Sequence, residues 1–193
     1  MRIGIYGGSF NPIHKGHTEL AKTIVEQGIV DELWLLVSPL NPLKQSVSKD
    51  IAAFEHRLNM ASLAVEGIAG VKVSDFEKHL PIPSYTINTL HELSKAYPQH
   101  QFSLVIGADN WHRFHHWYHA EDIINSYHIF IYRRPDNIID VTSLPPTVHI
   151  VDTPLYDTSS TQIRELIRKR KDVTEWIDVK VYDYIKQNGL YIE

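Results

Sequence analysis

The sequence predicts an α/β fold: a mostly parallel sheet with helices on both faces. Three observations predict it. Short apolar runs recur along the chain, and amphipathic stretches of helical period separate most of them, as in successive β–α–β units. The runs are apolar at nearly every position rather than at alternate ones, which suits strands covered on both faces. The chain has 193 residues, the length of one domain. A chain of that size buries about 70% of its unfolded surface and needs no cross-links.

Each element has its own signal in the sequence. Residues 2–6 read as the first strand, closed by Gly7-Gly8. Residues 16–27 carry Leu20, Ala21, Ile24 and Val25 at helical spacing, with Gly28 placed to end the helix. Residues 32–38 (ELWLLVS) form a second strand, after which Pro39 and Pro42 force an extended loop. Residues 52–65 read as a helix with Phe54, Leu58, Ala61 and Val65 on one face. Residues 71–73 are a short strand, and Ser84 is placed to cap a helix reaching about Ala96. Residues 102–106 are a strand broken by Gly107, and residues 127–132 and 147–151 are two more. Residues 160–170 and 179–187 read as helices, the second closed by Asn188-Gly189. Segment 135–146 is irregular but too short for a domain linker. With no repeat or low-complexity tract, one domain spanning 1–193 is expected.

Composition removes several function classes. There is no cysteine, so disulfides, zinc thiolate sites and a cysteine nucleophile are excluded. Lys plus Arg is 19 against 23 Asp plus Glu, a net charge of −4. That balance argues against a general nucleic-acid binder, though it allows a local basic pocket. No apolar run has the length of an export signal or a spanning helix, so a cytoplasmic protein without a membrane partner is expected. Twelve histidines raise the question of a metal. His112, His115, His116 and His119 would stripe one side of a helix, at a spacing open to a transition metal or to a polar rim beside a pocket.

The loop Gly7-Gly8-Ser9-Phe10-Asn11-Pro12-Ile13-His14-Lys15-Gly16-His17 follows the first strand and opens the first helix. Open α/β sheets bind ligands at the carboxyl ends of their strands. Glycines there let backbone N–H groups approach an anion, and a helix N-terminus favours one. His14 and His17 lie three apart across Gly16, so both imidazoles can face one side of the turn and stabilise phosphate oxygens. A plain glycine turn with two surface histidines would leave the same pattern. Late in the chain, Ser159 and Gln162 have the spacing of a capping box. Free N–H groups at Ser160 and Thr161 would face an anion, and Arg164 follows one turn on with a fork suited to phosphate.

GGSFNPIHKGH and the run Ser159-Ser160-Thr161-Gln162-Ile163-Arg164 together resemble the two signatures of the HxGH nucleotidylyltransferase superfamily, a Rossmann-like α/β family. Four further segments resemble its bacterial nicotinate mononucleotide adenylyltransferases: Arg57 to Met60, Ser84-Tyr85-Thr86-Ile87-Asn88-Thr89-Leu90, Gly107-Ala108-Asp109 and Trp117-Tyr118. The resemblance covers nearly the whole chain. It implies transfer of the adenylyl group of ATP to nicotinate mononucleotide, with release of pyrophosphate and with Mg²⁺ bound with ATP. His14, His17, Lys44 and Arg164 are then the catalytic groups on the ATP phosphates, His17 nearest the α-phosphate. Gly8, Ser9, Phe10, Ser160 and Thr161 line the ATP pocket. Thr86, Asp109, Trp117 and Tyr118 hold the mononucleotide, with Trp117 stacked on the pyridine ring and Asp109 accepting from a ribose hydroxyl, a position where it could equally cap a helix. No protein-held metal is implied.

Asn11 departs from the family's usual Asp, which removes a negative charge there, and Thr158 departs from its usual isoleucine. Other acceptors on the same fold are nicotinamide mononucleotide and phosphopantetheine. A nucleotide-binding module without catalysis is a further alternative. A class I aminoacyl-tRNA synthetase shares the histidine chemistry but needs a longer, more basic chain.

Overall fold

In the computed structural model, which describes residues 1–39, 51–135 and 137–192, six strands form one sheet in which every neighbouring pair is parallel. The strands are β1 Arg2–Gly8, β2 Glu32–Val37, β3 Val71–Ser74, β4 Gln101–Gly107, β5 His128–Tyr132 and β6 Val148–Val151. Their order is β3-β2-β1-β4-β5-β6. The chain winds outward from β1 to β3, then returns to β4 on the other side of β1. The direction therefore reverses between β1 and β4, which leaves a crevice at their carboxyl ends.

The helices are α1 Lys15–Glu26, α2 Phe54–Val65, α3 Thr86–Ala96, α4 Ala108–Trp111, α5 Ala120–Ser126, α6 Ser160–Arg168 and α7 Val179–Gln187. Strand residues split by twos between the two faces. Leu33, Leu35 and Val37 of β2 join a core with α1, α2, α6 and α7. Ile3 and Ile5 of β1 and Leu104 and Ile106 of β4 join a second core with α3 and α5. Both faces are apolar because both are covered, the condition that the continuous apolar runs imply.

Most elements fall where the sequence places them, and the differences have physical causes. Strand β1 continues through Gly7 and Gly8, which pair with Leu36 and Val37 of β2. Ser84 does not cap α3. Its cap position is Tyr85, and the Ser84 hydroxyl turns to the buried Glu77 instead, at 3.4 Å. The inward face of α2 is rotated from the one predicted: it buries Arg57 and Met60 with Ala61 and Val65, while Phe54 and Leu58 are only partly buried. Segment 108–126 holds two short helices and a 3₁₀ turn, Phe114–His116, rather than one histidine-striped helix.

Arg57 explains the rotation of α2. It is 2% exposed, and its guanidinium donates to the carbonyls of Ala52 (3.0 Å), Ser9 (2.8 Å), Ser38 (2.8 Å) and Pro39 (3.3 Å). It thereby ties the loop after β1 to the loop after β2. Desolvation pushes its pKa down, but a guanidinium stays charged. Truncating Arg57 leaves several buried carbonyls unserved. Arg57→Ala is expected to cost about 3 kcal/mol, roughly 6–12 °C in melting temperature. Thermal unfolding followed by circular dichroism checks this, and an unchanged melting point would show that the two loops do not depend on the guanidinium.

Candidate functional site

The loop joining β1 to α1 is held in one shape by packing. Phe10 sits in the left-handed region (φ 45°) and is 3% exposed, a conformation costing about 1–2 kcal/mol for a non-glycine residue. Burial offsets that cost. Its ring packs edge-on against Tyr6 and His17, at centroid distances of 5.6 and 5.1 Å. The ring also covers Gly8, where a Cβ would stand 2.9 Å from its tip.

His14 is the last residue of this loop and the N-cap of α1. It is 4% exposed, whereas His17 is partly open to the cleft. Their rings lie 3.6 Å apart at 30°. The residue between them must be small, because a Cβ on Gly16 would come within 3.0 Å of the His14 ring. The backbone N–H of His14 donates to Nδ1 of His17 at 3.1 Å. An accepting Nδ1 leaves the proton of a neutral imidazole on Nε2. Burial pushes the His14 pKa down to about 3, with the charge of Arg134 adding to it. Burial also pushes His17 well below its ordinary value, helped by His14 and Arg134. Without a ligand, both are neutral donors at physiological pH.

Helix α6 brings the second motif to the first. Ser159 caps it: the Gln162 N–H donates to Ser159 Oγ at 3.2 Å, and the Ser159 N–H donates to Gln162 Oε1 at 3.1 Å. Ser160 Oγ donates to the carbonyl of Pro12 at 2.9 Å, and Arg164 to that of Asn11 at 2.8 Å. The Oδ1 of Asn11 accepts from the Ala52 N–H at 3.0 Å and from the Tyr191 hydroxyl at 2.7 Å. That oxygen is engaged in holding the loop, a task an amide performs without an added charge.

These residues line a cleft of about 870 Å³ at the carboxyl ends of β1 and β4. It brings together Gly8, Ser9, Phe10, His14, His17, Ser160, Thr161 and Arg164, which the resemblance assigns to the ATP site, His14, His17 and Arg164 to its phosphates. Asp109 also lies here. It is not a helix cap, since Gly107 holds that position for α4, and its Oδ1 stands 3.9 Å from Nε of Arg134. Lys44 lies outside the described residues.

Arg134 carries no role in the sequence reading, yet it lines the same cleft. Its guanidinium lies 5.1 Å from the Tyr132 ring centroid and donates to the Tyr132 hydroxyl at 3.2 Å, and that hydroxyl stands 3.2 Å from the hydroxyl of Tyr6. The available signal was positional. Arg133-Arg134-Pro135 follows the carboxyl end of a predicted strand, where ligands of such sheets bind.

A second, smaller cavity of about 180 Å³ adjoins the first, and Tyr6, Gly7, Gly8 and Asn110 line both. Thr86, Trp117 and Tyr118, which the resemblance assigns to the mononucleotide, line it together with Glu77 and Leu90. Trp117 packs on Phe114 with centroids 5.0 Å apart. Tyr118 is exposed and faces Tyr85 at 4.5 Å. Of the four clustered histidines, His116 reaches this pocket. His119 instead pairs with Asp122 at 2.6 Å. Among the described residues, no three His, Cys, Asp or Glu side chains converge as a metal site, and no helix is long and apolar enough to cross a membrane.

Comparison with known proteins shows the family and the fold. A family model described as cytidylyltransferase-like matches residues 5–166. A Bacteroides fragilis protein named probable nicotinate-nucleotide adenylyltransferase is 45% identical over 186 residues, spanning 96% of this chain and 92% of that one. The nicotinate-nucleotide adenylyltransferase of Bacillus subtilis is 33% identical over 190 residues, 98% of each chain. The structure of Plasmodium falciparum nicotinic acid mononucleotide adenylyltransferase complexed with NaAD has the same fold. Its TM-score is 0.84 at 24% identity, over 98% of this chain and 97% of that one.

The buried imidazoles make stability depend on pH. His14 binds its proton near pH 3 when folded but near 6.5 when unfolded. Between those values the unfolded state holds more protons, so stability is full above pH 6.5 and is lost as pH falls toward 3. The slope is about 1.4 kcal/mol per pH unit for His14, and His17, whose pKa is also lowered, adds to it in the same direction. Urea midpoints measured from pH 7 to 4.5 are expected to fall, and to fall less steeply in His14→Gln. Parallel curves for the two proteins would show that His14 titrates normally.

Proposed function

This chain belongs to the nicotinate-nucleotide adenylyltransferases of the cytidylyltransferase-like family, and from that membership we propose that it transfers the adenylyl group of ATP to nicotinate mononucleotide. The products are nicotinate adenine dinucleotide and pyrophosphate, a step of NAD biosynthesis. One observation carries the assignment to these residues. Two cavities of different chemistry meet at the end of β1, beside His17. One is rich in phosphate-binding donors and the other is aromatic, which suits the two halves of a dinucleotide.

The mononucleotide 5′-phosphate is already an anion at pH 7 and needs no general base. Its oxygen attacks the α-phosphorus of ATP, a P–O bond forms, and the bond to the β-phosphate breaks as pyrophosphate leaves. The protein positions the reactants and stabilises charge. Nε2–H of His17 donates to the α-phosphate, and His14 adds a second donor. Arg164 and Arg134 neutralise the outer phosphates, with Lys44 assigned there by resemblance. The N–H groups at the start of α6 receive a phosphate oxygen. Trp117 stacks on the pyridine ring, Thr86 and the backbone near Tyr118 hold its carboxylate, and Asp109 accepts from a ribose hydroxyl.

Mg²⁺ bound with ATP belongs to this reading. The cleft offers Asp109 and Asp157 but no converging ligand set among the described residues. Were such an ion carried in by the triphosphate, Asp109 and Asp157 would be the cleft carboxylates to hold it through its water shell. Such an ion would neutralise charge on the phosphate oxygens. On composition alone, the reading also takes the chain as a single-domain cytoplasmic enzyme.

Pyrophosphate release from Mg-ATP, measured with nicotinate mononucleotide, nicotinamide mononucleotide and phosphopantetheine in turn, tests the assignment. The first acceptor should give the highest kcat/KM, and turnover of none would leave only a nucleotide-binding module. His17→Ala should lower kcat at least about 100-fold in a protein that still folds; near wild-type turnover would remove its role. Trp117→Ala should raise KM for the mononucleotide more than for ATP, and equal effects on both would argue against stacking.

A further inference from the structure

One buried ionisable group beside the acceptor pocket has no part in the mechanism above. Glu77 is 7% exposed and sits in the 3₁₀ turn Phe76–His79 that follows β3. It lines the smaller cavity together with Ser38, Ser84, Thr86, Thr89 and Trp117. Ser38 Oγ donates to Glu77 Oε2 at 2.6 Å, Thr89 Oγ1 to Oε1 at 3.0 Å, and Ser84 Oγ to Oε2 at 3.4 Å. All three partners are hydroxyls, each able to donate to the ionised carboxyl group. The 2.6 Å contact lies in the range of hydroxyl–carboxylate bonds. Burial raises the Glu77 pKa and the three hydroxyls work against that rise. Among the described residues, no Lys, Arg or His forms an ion pair with it.

A buried carboxylate that has no ion-pair partner among the described residues is costly. It is also misplaced in a pocket whose only task is to accept a nicotinate carboxylate, since like charges repel. The ring of the mononucleotide supplies what is missing. A pyridine nitrogen bonded to ribose carries a permanent positive charge. We propose that Glu77 is the counter-charge for that pyridinium nitrogen, a role set by its place in the wall of the acceptor cavity. This rests on the function proposed above. It deepens it by assigning a specificity residue that acts on ring charge, beside Trp117, which acts on ring shape. The hydroxyls of Ser38, Ser84 and Thr89 favour the ionised form and fix its position. Ser38 directly follows the strand next to β1, Ser84 precedes α3 and Thr89 lies on it, so the anion also ties together segments of the pocket wall.

Ring charge can be varied without ring shape. The probes are nicotinate mononucleotide and its carbon-linked isostere, 3-carboxyphenyl riboside 5′-phosphate, whose ring is neutral. Their KM values are read by pyrophosphate release at saturating Mg-ATP. The unmodified protein should favour the pyridinium by roughly tenfold, an arm that needs no variant. Glu77→Gln should abolish the preference, mainly by raising KM for the pyridinium, and should leave KM for ATP unchanged. Glu77→Asp should retain part of it. A ratio of two KM values within one protein does not depend on how much of a variant is folded, and a merely structural role would weaken both ligands alike. Equal KM values in the wild type, or a preference that survives in Glu77→Gln, would overturn the assignment. A wild-type protein that turns over neither compound would overturn the proposed function and this inference with it, a failure visible before any variant is made.

Discussion

The shape of the loop after β1 is the constraint on which the rest depends. Three of its carbonyls, those of Ser9, Asn11 and Pro12, each accept from a side chain far away in sequence: Arg57, Arg164 and Ser160. The Asn11 side chain accepts from Ala52 and Tyr191 as well. Buried carbonyls must find donors, and here the donors come from α2, α6 and the C-terminal segment. Meeting that requirement fixes where His14 and His17 start α1. It also sets the N-terminus of α6 against the same loop. The cleft is thus assembled by hydrogen bonds made behind it.

The electrostatics of the cleft follow from this assembly. Two imidazoles packed ring on ring and partly walled from water cannot both be charged, and Arg134 nearby lowers them further. The resting cleft therefore presents neutral donors around a few fixed cations. A triphosphate entering it meets those donors and cations already in place. Donors fixed in advance are suited to a transition state in which pyrophosphate departs. Tyr6 and Tyr132 complete the floor beneath His17. Burial and mutual contact raise Tyr6 well above its ordinary value, so its hydroxyl stays neutral.

Much of this was legible in the sequence, for a physical reason. Continuous apolar strands and a glycine-rich first loop are local patterns, and the capping box at Ser159 is confined to four residues. The two phosphate motifs and Trp117 could be named from the chain alone, and the structure brings them to adjoining cavities. What was not legible depends on distant partners. The face of α2 could not be placed by its apolar period, because Arg57 is buried by carbonyls of three separate segments. Ser84 has the chemistry of a helix cap, yet the buried Glu77 draws its hydroxyl away. The histidines near Trp117 suggest a helical stripe, but the left-handed His119 (φ 52°) and the 3₁₀ turn before it break the period. Arg134 shows its role only when β5 is known to lie beside β4.

Charge separation between the two cavities ties the site to its ligands. The acceptor phosphate is negative and its ring nitrogen is positive, so the molecule is polar along its length. The larger cleft holds His14, His17, Arg134 and Arg164, and the smaller holds Glu77 with three hydroxyls. Laid across the end of β1, such a molecule has its phosphate among the cations of the larger cleft and its ring nitrogen beside the anion of the smaller. A net charge of −4 hides this arrangement, because recognition depends on where single charges stand rather than on their sum. Orientation fixed in this way presents the 5′-phosphate to the α-phosphorus without a base or a covalent intermediate. The aromatic wall sets which ring shape enters, the buried anion sets which ring charge is favoured, and the donors on the loop after β1 set where the new bond forms.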